Sequence, residues 1–289
     1  GNLGNASYRQ AGDLYGIILL PESATGADIE AARKLLIDRG ASDGTTASTV
    51  NVYGYGRGDI VEFKPISFSS ATSLRYTWHQ MSSLTSFPSL DLTNAVDVNN
   101  AWSSCGSLSS FGTTEIPNCT NFGSAWQYCS SLQSFPASAK LGTEATGTIT
   151  FESAWESSGL TSFSTPLPTA KSARRAWYGC ASLSSFETTE ISNCYNFAEA
   201  FRNCTSLTTF PSNAKLGTDA TSVDFGAAFM GTGLTSFPAL DLSSGTNFSN
   251  TWRGTAISQF PPDALLGTAA ANVNFNSAFR SSNIISFST

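Results

Sequence analysis

Residues 122–136 read FGSAWQYCSSLQSFP, and residues 197–211 read FAEAFRNCTSLTTFP. The two stretches share one spacing of apolar positions. Outward from them the spacing recurs across residues 70–289. An aromatic residue, usually after Ala, stands at Trp78, Trp102, Trp126, Trp155, Trp177, Phe201, Phe229, Trp252 and Phe279, at intervals of 22 to 29 residues. An aliphatic follows five or six residues later, at Leu84, Leu108, Leu132, Leu160, Leu183, Leu207, Leu234, Ile257 and Ile284. Three residues beyond it is a Phe in all nine copies: Phe87, Phe111, Phe135, Phe163, Phe186, Phe210, Phe237, Phe260 and Phe287. Four residues before the aromatic lies another apolar side chain, Phe in six copies, with Ala173 the departure.

A unit this short cannot bury its own apolar face, so neighbours must stack and share one interior. The L-x-S-F-P stretch predicts one short strand per unit, and parallel strands lie about 4.8 Å apart. The stretch before each aromatic predicts a single helical turn on the opposite side, because Phe at i and Trp at i+4 share a helical face. A longer period overlies the short one: AKLGTEAT at residues 139–146 returns as AKLGTDAT at 214–221 and ALLGTAAA at 264–271. Trp102 and Trp177, 75 residues apart, head matching blocks of three units.

The expected fold is therefore α/β, a leucine-rich-repeat solenoid over residues 70–289 with about nine units. It has one short parallel strand per turn and short helical turns opposite. The expected core holds Trp102, Trp126, Trp155, Trp177, Phe201, Phe229 and Trp252 with Leu108, Leu132, Leu183, Leu207, Phe111, Phe135, Phe186 and Phe210.

The A-[WF]-x-x-C-x-S-L-x-x-F pattern, clearest at residues 125–135, 176–186 and 200–210, resembles the BspA-like leucine-rich repeats. The resemblance implies a right-handed solenoid with a parallel sheet on one side. Cys holds the motif position only as Cys105, Cys129, Cys180 and Cys204, and Trp replaces the usual Phe in six units. The Ser/Thr-rich form also resembles repeats of marine bacteriophage tail-fibre and other virion proteins. It implies a virion structural or receptor-binding component; the alternative is a bacterial cell-surface adhesin with the same repeat.

Residues 1–48 do not join the repeat. Residues 14–20 predict a strand, and residues 27–39 a helix with Thr25 as N-cap and Gly40 past its end. This segment resembles the closing part of concanavalin-like lectin domains, which implies an upstream lectin-like domain. Residues 49–69 predict a hairpin that caps the first coil. Together these form a small N-terminal α+β cap. At the other end no cap is read, so a homo-oligomer contact or a partner chain is expected to cover the C-terminal edge.

The 289 residues include 12% charged and carry a net charge of −6. That balance gives no basic footprint for nucleic acid, and no apolar run reaches the ~20 residues that span a bilayer. The expected partners are host-surface protein or glycan and other virion proteins.

No catalytic signature of the nucleophile-elbow, zinc-protease, P-loop or dinucleotide type is present, and no enzyme, metal or cofactor role is expected. His79, the single histidine, reads as a surface or edge residue. Glu115 and Glu190 read as solvated turn residues, as do Asp91, Asn94, Asp97 and Asn99, whose spacing lacks the features of a calcium loop. The six Cys read as packed free thiols. Arg57, Gly58 and Asp59 spell an adhesion tripeptide that arises readily by chance in a Gly-rich turn. Side chains alternate along a strand, so the residue before each Phe faces outward. Ser86, Ser110, Ser134, Ser162, Ser185, Thr209, Ser236 and Gln259 form a polar ladder, read either as small residues suited to tight stacking or as a binding face.

Overall fold

The structure, a computed structural model, describes residues 68–287. The strand and helix expected within residues 1–48, nearly all of the 49–69 hairpin, and the Arg57 tripeptide lie outside the described residues.

The aromatic repeat winds into a parallel β-solenoid of about eight turns. Its strands are two or three residues long and pair in register with the neighbouring coil. On one side β1 (Ser86–Phe87) pairs with β2 (Ser110–Phe111), β6 (Ser162–Phe163) with β8 (Ser185–Phe186), and β14 (Gln259–Phe260) with β16 (Ser286–Phe287). A second track joins β3 (Glu115–Ile116) to β4 (Lys140–Leu141), β9 (Glu190–Ile191) to β10 (Lys215–Leu216), and β12 (Asp241–Leu242) to β15 (Leu265–Leu266). A third joins β5 (Ile149–Thr150) to β7 (Ala170–Ser172) and β11 (Val223–Asp224) to β13 (Gly245–Asn247). One strand per coil was thus too few. The coil bends at several corners, and each straight edge is long enough for a brief ladder only.

The expected helical turns are absent among the described residues. Two consecutive four-residue turns take their place. In the second unit the Ala101 N–H donates to the Val98 carbonyl (3.0 Å) and the Cys105 N–H to the Trp102 carbonyl (3.2 Å). The third residue of each turn is left-handed, Asn100 at φ 56° and Ser104 at φ 63°. Every unit repeats this, from Tyr76 and Gln80 in the first to Ser277 and Ser281 in the last. The intervening N–H groups all point to the following coil: Val98 to Asn121, Asn100 to Gly123, Trp102 to Ala125 and Ser104 to Gln127, at 2.7–3.0 Å. Alternate peptides along this track are therefore aligned in one sense along the solenoid axis.

A left-handed residue with a Cβ is strained, yet Tyr, Gln, Glu and Arg fill these positions. Inter-coil bonds on both sides fix the backbone there. Gly179, Gly231 and Gly254 are the exceptions, and of these Gly254, at φ 70°, has open space around it. Gly254→Asn is expected to keep or raise stability by less than about 1 kcal/mol, measured by urea denaturation. A loss of that size would mean this turn differs from its neighbours.

The residue five before each aromatic fixes the turn's entry. It is Ser73, Asp97, Asn121, Thr150, Ser172, Asn196, Asp224, Asn247 and Asn274, and these bridge from coil to coil. The side-chain oxygen accepts from the N–H two residues on, as Asn121 does from Gly123 (3.0 Å) and Asp224 from Gly226 (2.8 Å).

Three aromatic columns fill the interior. Trp78, Trp102, Trp126, Trp155, Trp177, Phe201 and Phe229 stack face to face with centroids 4.9–5.8 Å apart. Phe87, Phe111, Phe135, Phe163, Phe186, Phe210, Phe237 and Phe260 form a second column at 5.4–6.4 Å. A shorter third column holds Phe197, Phe225, Phe248 and Phe275. The first two are nearly perpendicular, as between Trp102 and Phe111 (4.9 Å, 81°). The Trp and Phe columns meet in T-shaped contacts, a favourable quadrupole arrangement. The indole Nε1 atoms of Trp102, Trp126, Trp155, Trp177 and Trp252 are buried with no nitrogen or oxygen acceptor. Ring packing therefore holds these edges without conventional hydrogen bonds. The core residues read from the sequence are all buried.

Short strands leave many carbonyls without a ladder partner, and hydroxyls supply it. The buried Thr113, Thr165 and Thr188 donate to the carbonyls of Pro88, Pro136 and Thr165 in the preceding coil, at 2.8–3.0 Å. The Ser/Thr/Asn-rich, charge-poor composition thus follows from the way the coils are joined.

Candidate interaction surface

The outward ladder lies where alternation puts it. Ser86, Ser110, Ser134, Thr209, Ser236 and Gln259 are exposed beside buried Phe residues. Ser162 and Ser185 are half-buried, and the Ser185 hydroxyl donates to Glu187 Oε1 at 3.0 Å. The row one residue earlier behaves differently. Ser109, Thr161 and Ser184 donate their hydroxyls to the carbonyls of Thr85, Gln133 and Thr161 in the coil before, at 3.0–3.1 Å. Those hydroxyls are spent on the fold. The hydroxyls of Ser86, Ser110, Ser134, Thr209 and Ser236 have no partner among the described residues, so they are free to bind at the coil repeat.

On the turn track the coils around Trp155, Trp177 and Phe201 carry a charged cluster that the sequence reading missed. Arg175 Nη2 donates to the buried Glu156 Oε1 at 2.9 Å, and Arg202 Nη1 to Glu199 Oε2 at 2.9 Å. The Arg175 guanidinium lies 4.3 Å above the Tyr178 ring, with Arg202 at 5.6 Å. Arg174 pairs with Glu152 in the preceding coil. The signal was the Arg174–Arg175 pair, the chain's one adjacent pair of basic residues on these coils. Each of these three arginines pairs with a glutamate.

Glu115 and Glu190 are strand residues rather than free turn residues. Lys140 and Lys215, on the next coil, donate to them at 3.1 and 2.9 Å. Both pairs are exposed, so Lys140→Met is expected to cost less than about 1 kcal/mol in a thermal melt. A larger loss would give this edge a structural role it lacks here.

The four residues considered for calcium serve local bonds: Asp91 accepts from the Thr93 N–H, Asn94 donates to the Ser69 carbonyl, Asp97 accepts from the Asn99 N–H, and Asn99 donates to the Gly123 carbonyl. Among the described residues no three His, Cys, Asp or Glu side chains gather to hold a metal ion. No described helix is long and apolar enough to cross a membrane. His79 is half-buried with its ring edge on Tyr76 (5.5 Å), and burial lowers its pKa.

All six cysteines are buried and free. Cys105, Cys129, Cys180 and Cys204 donate to the carbonyls of Trp78, Trp102, Trp155 and Trp177 in the preceding coil at 3.0–3.2 Å. Burial pushes Cys105, Cys119 and Cys194 up to about 12 and Cys180 to about 11, with Cys129 and Cys204 also raised. The thiolate is the reactive form, so the native protein at pH 8 is expected to give almost no reaction with a disulfide reagent. All six thiols should react once denatured; rapid native labelling of any of them would place it at the surface.

No protein-family model matches the chain, and no curated protein or solved structure is significantly similar to it.

Proposed function

We propose that the chain is a non-catalytic structural and binding module of a virion, a bacteriophage tail or fibre component that contacts a host surface or other virion proteins. The reading rests on one observation above all: exposed hydroxyls without internal partners stand at the coil spacing on one side of the solenoid in two runs, Ser86, Ser110 and Ser134, then Thr209 and Ser236. Such a row meets a repeating ligand, glycan or extended protein, at several points at once. The likeness of the repeat to virion and BspA-like leucine-rich repeats supports the same reading. A surface adhesin of the BspA-like type shares that motif evidence.

A glycan array with the isolated chain tests the proposal. Binding is expected, and the triple replacement of Ser110, Ser134 and Thr209 by Glu should abolish it while leaving the melting temperature near that of the parent. Turnover of a polysaccharide, lost when a single carboxylate is replaced, would overturn the non-catalytic reading.

A further inference from the structure

Two residues after each aromatic the backbone is left-handed, and eight of the nine copies place Gln, Ser, Asn or Gly there. The ninth is Tyr128, at φ 60°. A bulky side chain is costly in that conformation. Tyr128 gains nothing from the core in return. It is 49% exposed, and among the described residues its ring and hydroxyl have no aromatic, cationic or hydrogen-bonding partner. The next coil makes the same turn with Ser157, so the fold does not call for a ring here.

Bonds between coils fix what stands beside it. The Tyr128 N–H donates to the Glu156 carbonyl at 2.8 Å, the Ser157 N–H to that of Tyr178 at 2.7 Å, and the Gly179 N–H to that of Arg202 at 2.8 Å. Tyr128, Ser157, Gly179 and Asn203 therefore follow one another on successive coils, a row about 14 Å long at the strand spacing. Along the row the side chain falls from a phenol to a hydroxymethyl to a hydrogen, then rises to the exposed Asn203 amide. A Cβ on Gly179 would come 3.0 Å from Ser157 Oγ, so the low middle of the row is held low by the Ser157 hydroxyl. That hydroxyl and the Asn203 amide have no internal partner among the described residues.

We propose that this row is a subsite for an uncharged pyranose, with the sugar's apolar ring face on Tyr128 and its hydroxyls on Ser157 and Asn203. The weakly positive C–H groups of a pyranose face suit the negative face of the Tyr ring. One aromatic surface with a few polar groups beside it is the usual make-up of a small-molecule site. The charges alongside decide against an acidic sugar. Arg174, Arg175 and Arg202 are held by Glu152, Glu156 and Glu199, so none of the three is left for a carboxylate. The inference rests on the glycan-binding reading; it names the sugar class and places a contact on the turn track, apart from the hydroxyl rows.

Saturation-transfer NMR on the full chain tests it, with methyl β-glucopyranoside, methyl β-galactopyranoside and glucuronate as probes. At about 20 mM sugar, suited to a millimolar Kd, transfer to at least one of the two methyl glycosides is expected, and glucuronate should receive less. Tyr128→Ala should weaken that binding about tenfold at an unchanged melting temperature, and Tyr128→Phe should keep it. The variant with Ser110, Ser134 and Thr209 replaced by Glu should also keep it. If that variant loses glycan-array binding while the parent chain shows no transfer to either glycoside, the hydroxyl rows bind and the Tyr128 subsite is overturned. Transfer unchanged by Tyr128→Ala, or a preference for glucuronate, would overturn it as well.

Discussion

Replacing Trp126 by Ala lowers the unfolding free energy by about 3–5 kcal/mol, the range for large-to-small changes in a packed core. Trp126 stacks on Trp102 at 5.3 Å and on Trp155 at 5.4 Å, and it meets Phe111 and Phe135 in T-shaped contacts. Ala leaves a cavity that coils on either side cannot close, because each is held by its own neighbour through the N–H ladder. In a one-dimensional stack the loss falls on two interfaces at once. Ser134→Ala, on the same coil but exposed and unbonded, should cost less than about 0.5 kcal/mol. Urea titrations of the two variants check the assignment of inside and outside, and equal losses would reject it.

Gly159→Ala costs about 3 kcal/mol, at the upper end of overpacking, while Gly106→Ala costs less than about 0.5 kcal/mol. Both glycines stand four residues after their aromatic. In the unit of Trp102 six residues lead to Leu108, and a Cβ on Gly106 would meet only Ser130 Oγ at 3.7 Å. In the unit of Trp155 five lead to Leu160, and there Gly159 lies directly against the coil before. A Cβ on Gly159 would collide with the Ser130 carbonyl oxygen, and backbone there cannot step aside. Gly233 shows the same collision with Thr205 in another five-residue connector. Similar melting curves for the two Ala variants would mean that the backbone beside Gly159 yields to a Cβ.

The apolar skeleton was legible because it depends on few residue types at fixed spacing. Trp126, Leu132 and Phe135 point inward as their repeat requires, and the residues before each Phe point outward. The turn track was not legible. Phe122 and Trp126 are four apart, which suits one face of a helix and equally two successive four-residue turns. The left-handed residues that would have revealed the turns are Ser124 and Tyr128 here and Glu199 and Asn203 three units on. Few of these types advertise a positive φ, since tertiary bonding imposes it. The entry position was visible in principle, because all nine residues five before the aromatic are Asp, Asn, Ser or Thr. Four residue types share that one role, so no single letter repeats, and Asp97 read as merely solvated. The charged cluster at Arg175 depends on contacts between coils, which spacing along the chain does not express.

The account stands or falls on hydrogen bonds between coils, and through-bond N–H to carbonyl couplings in a labelled sample observe them directly. The Trp102 amide is expected to couple to the carbonyl of Ala125, and the Trp126 amide to that of Ala154, bonds of 2.9 and 2.8 Å. Couplings from these amides to carbonyls four residues earlier, with none reaching the next unit, would contradict the stacked-coil structure.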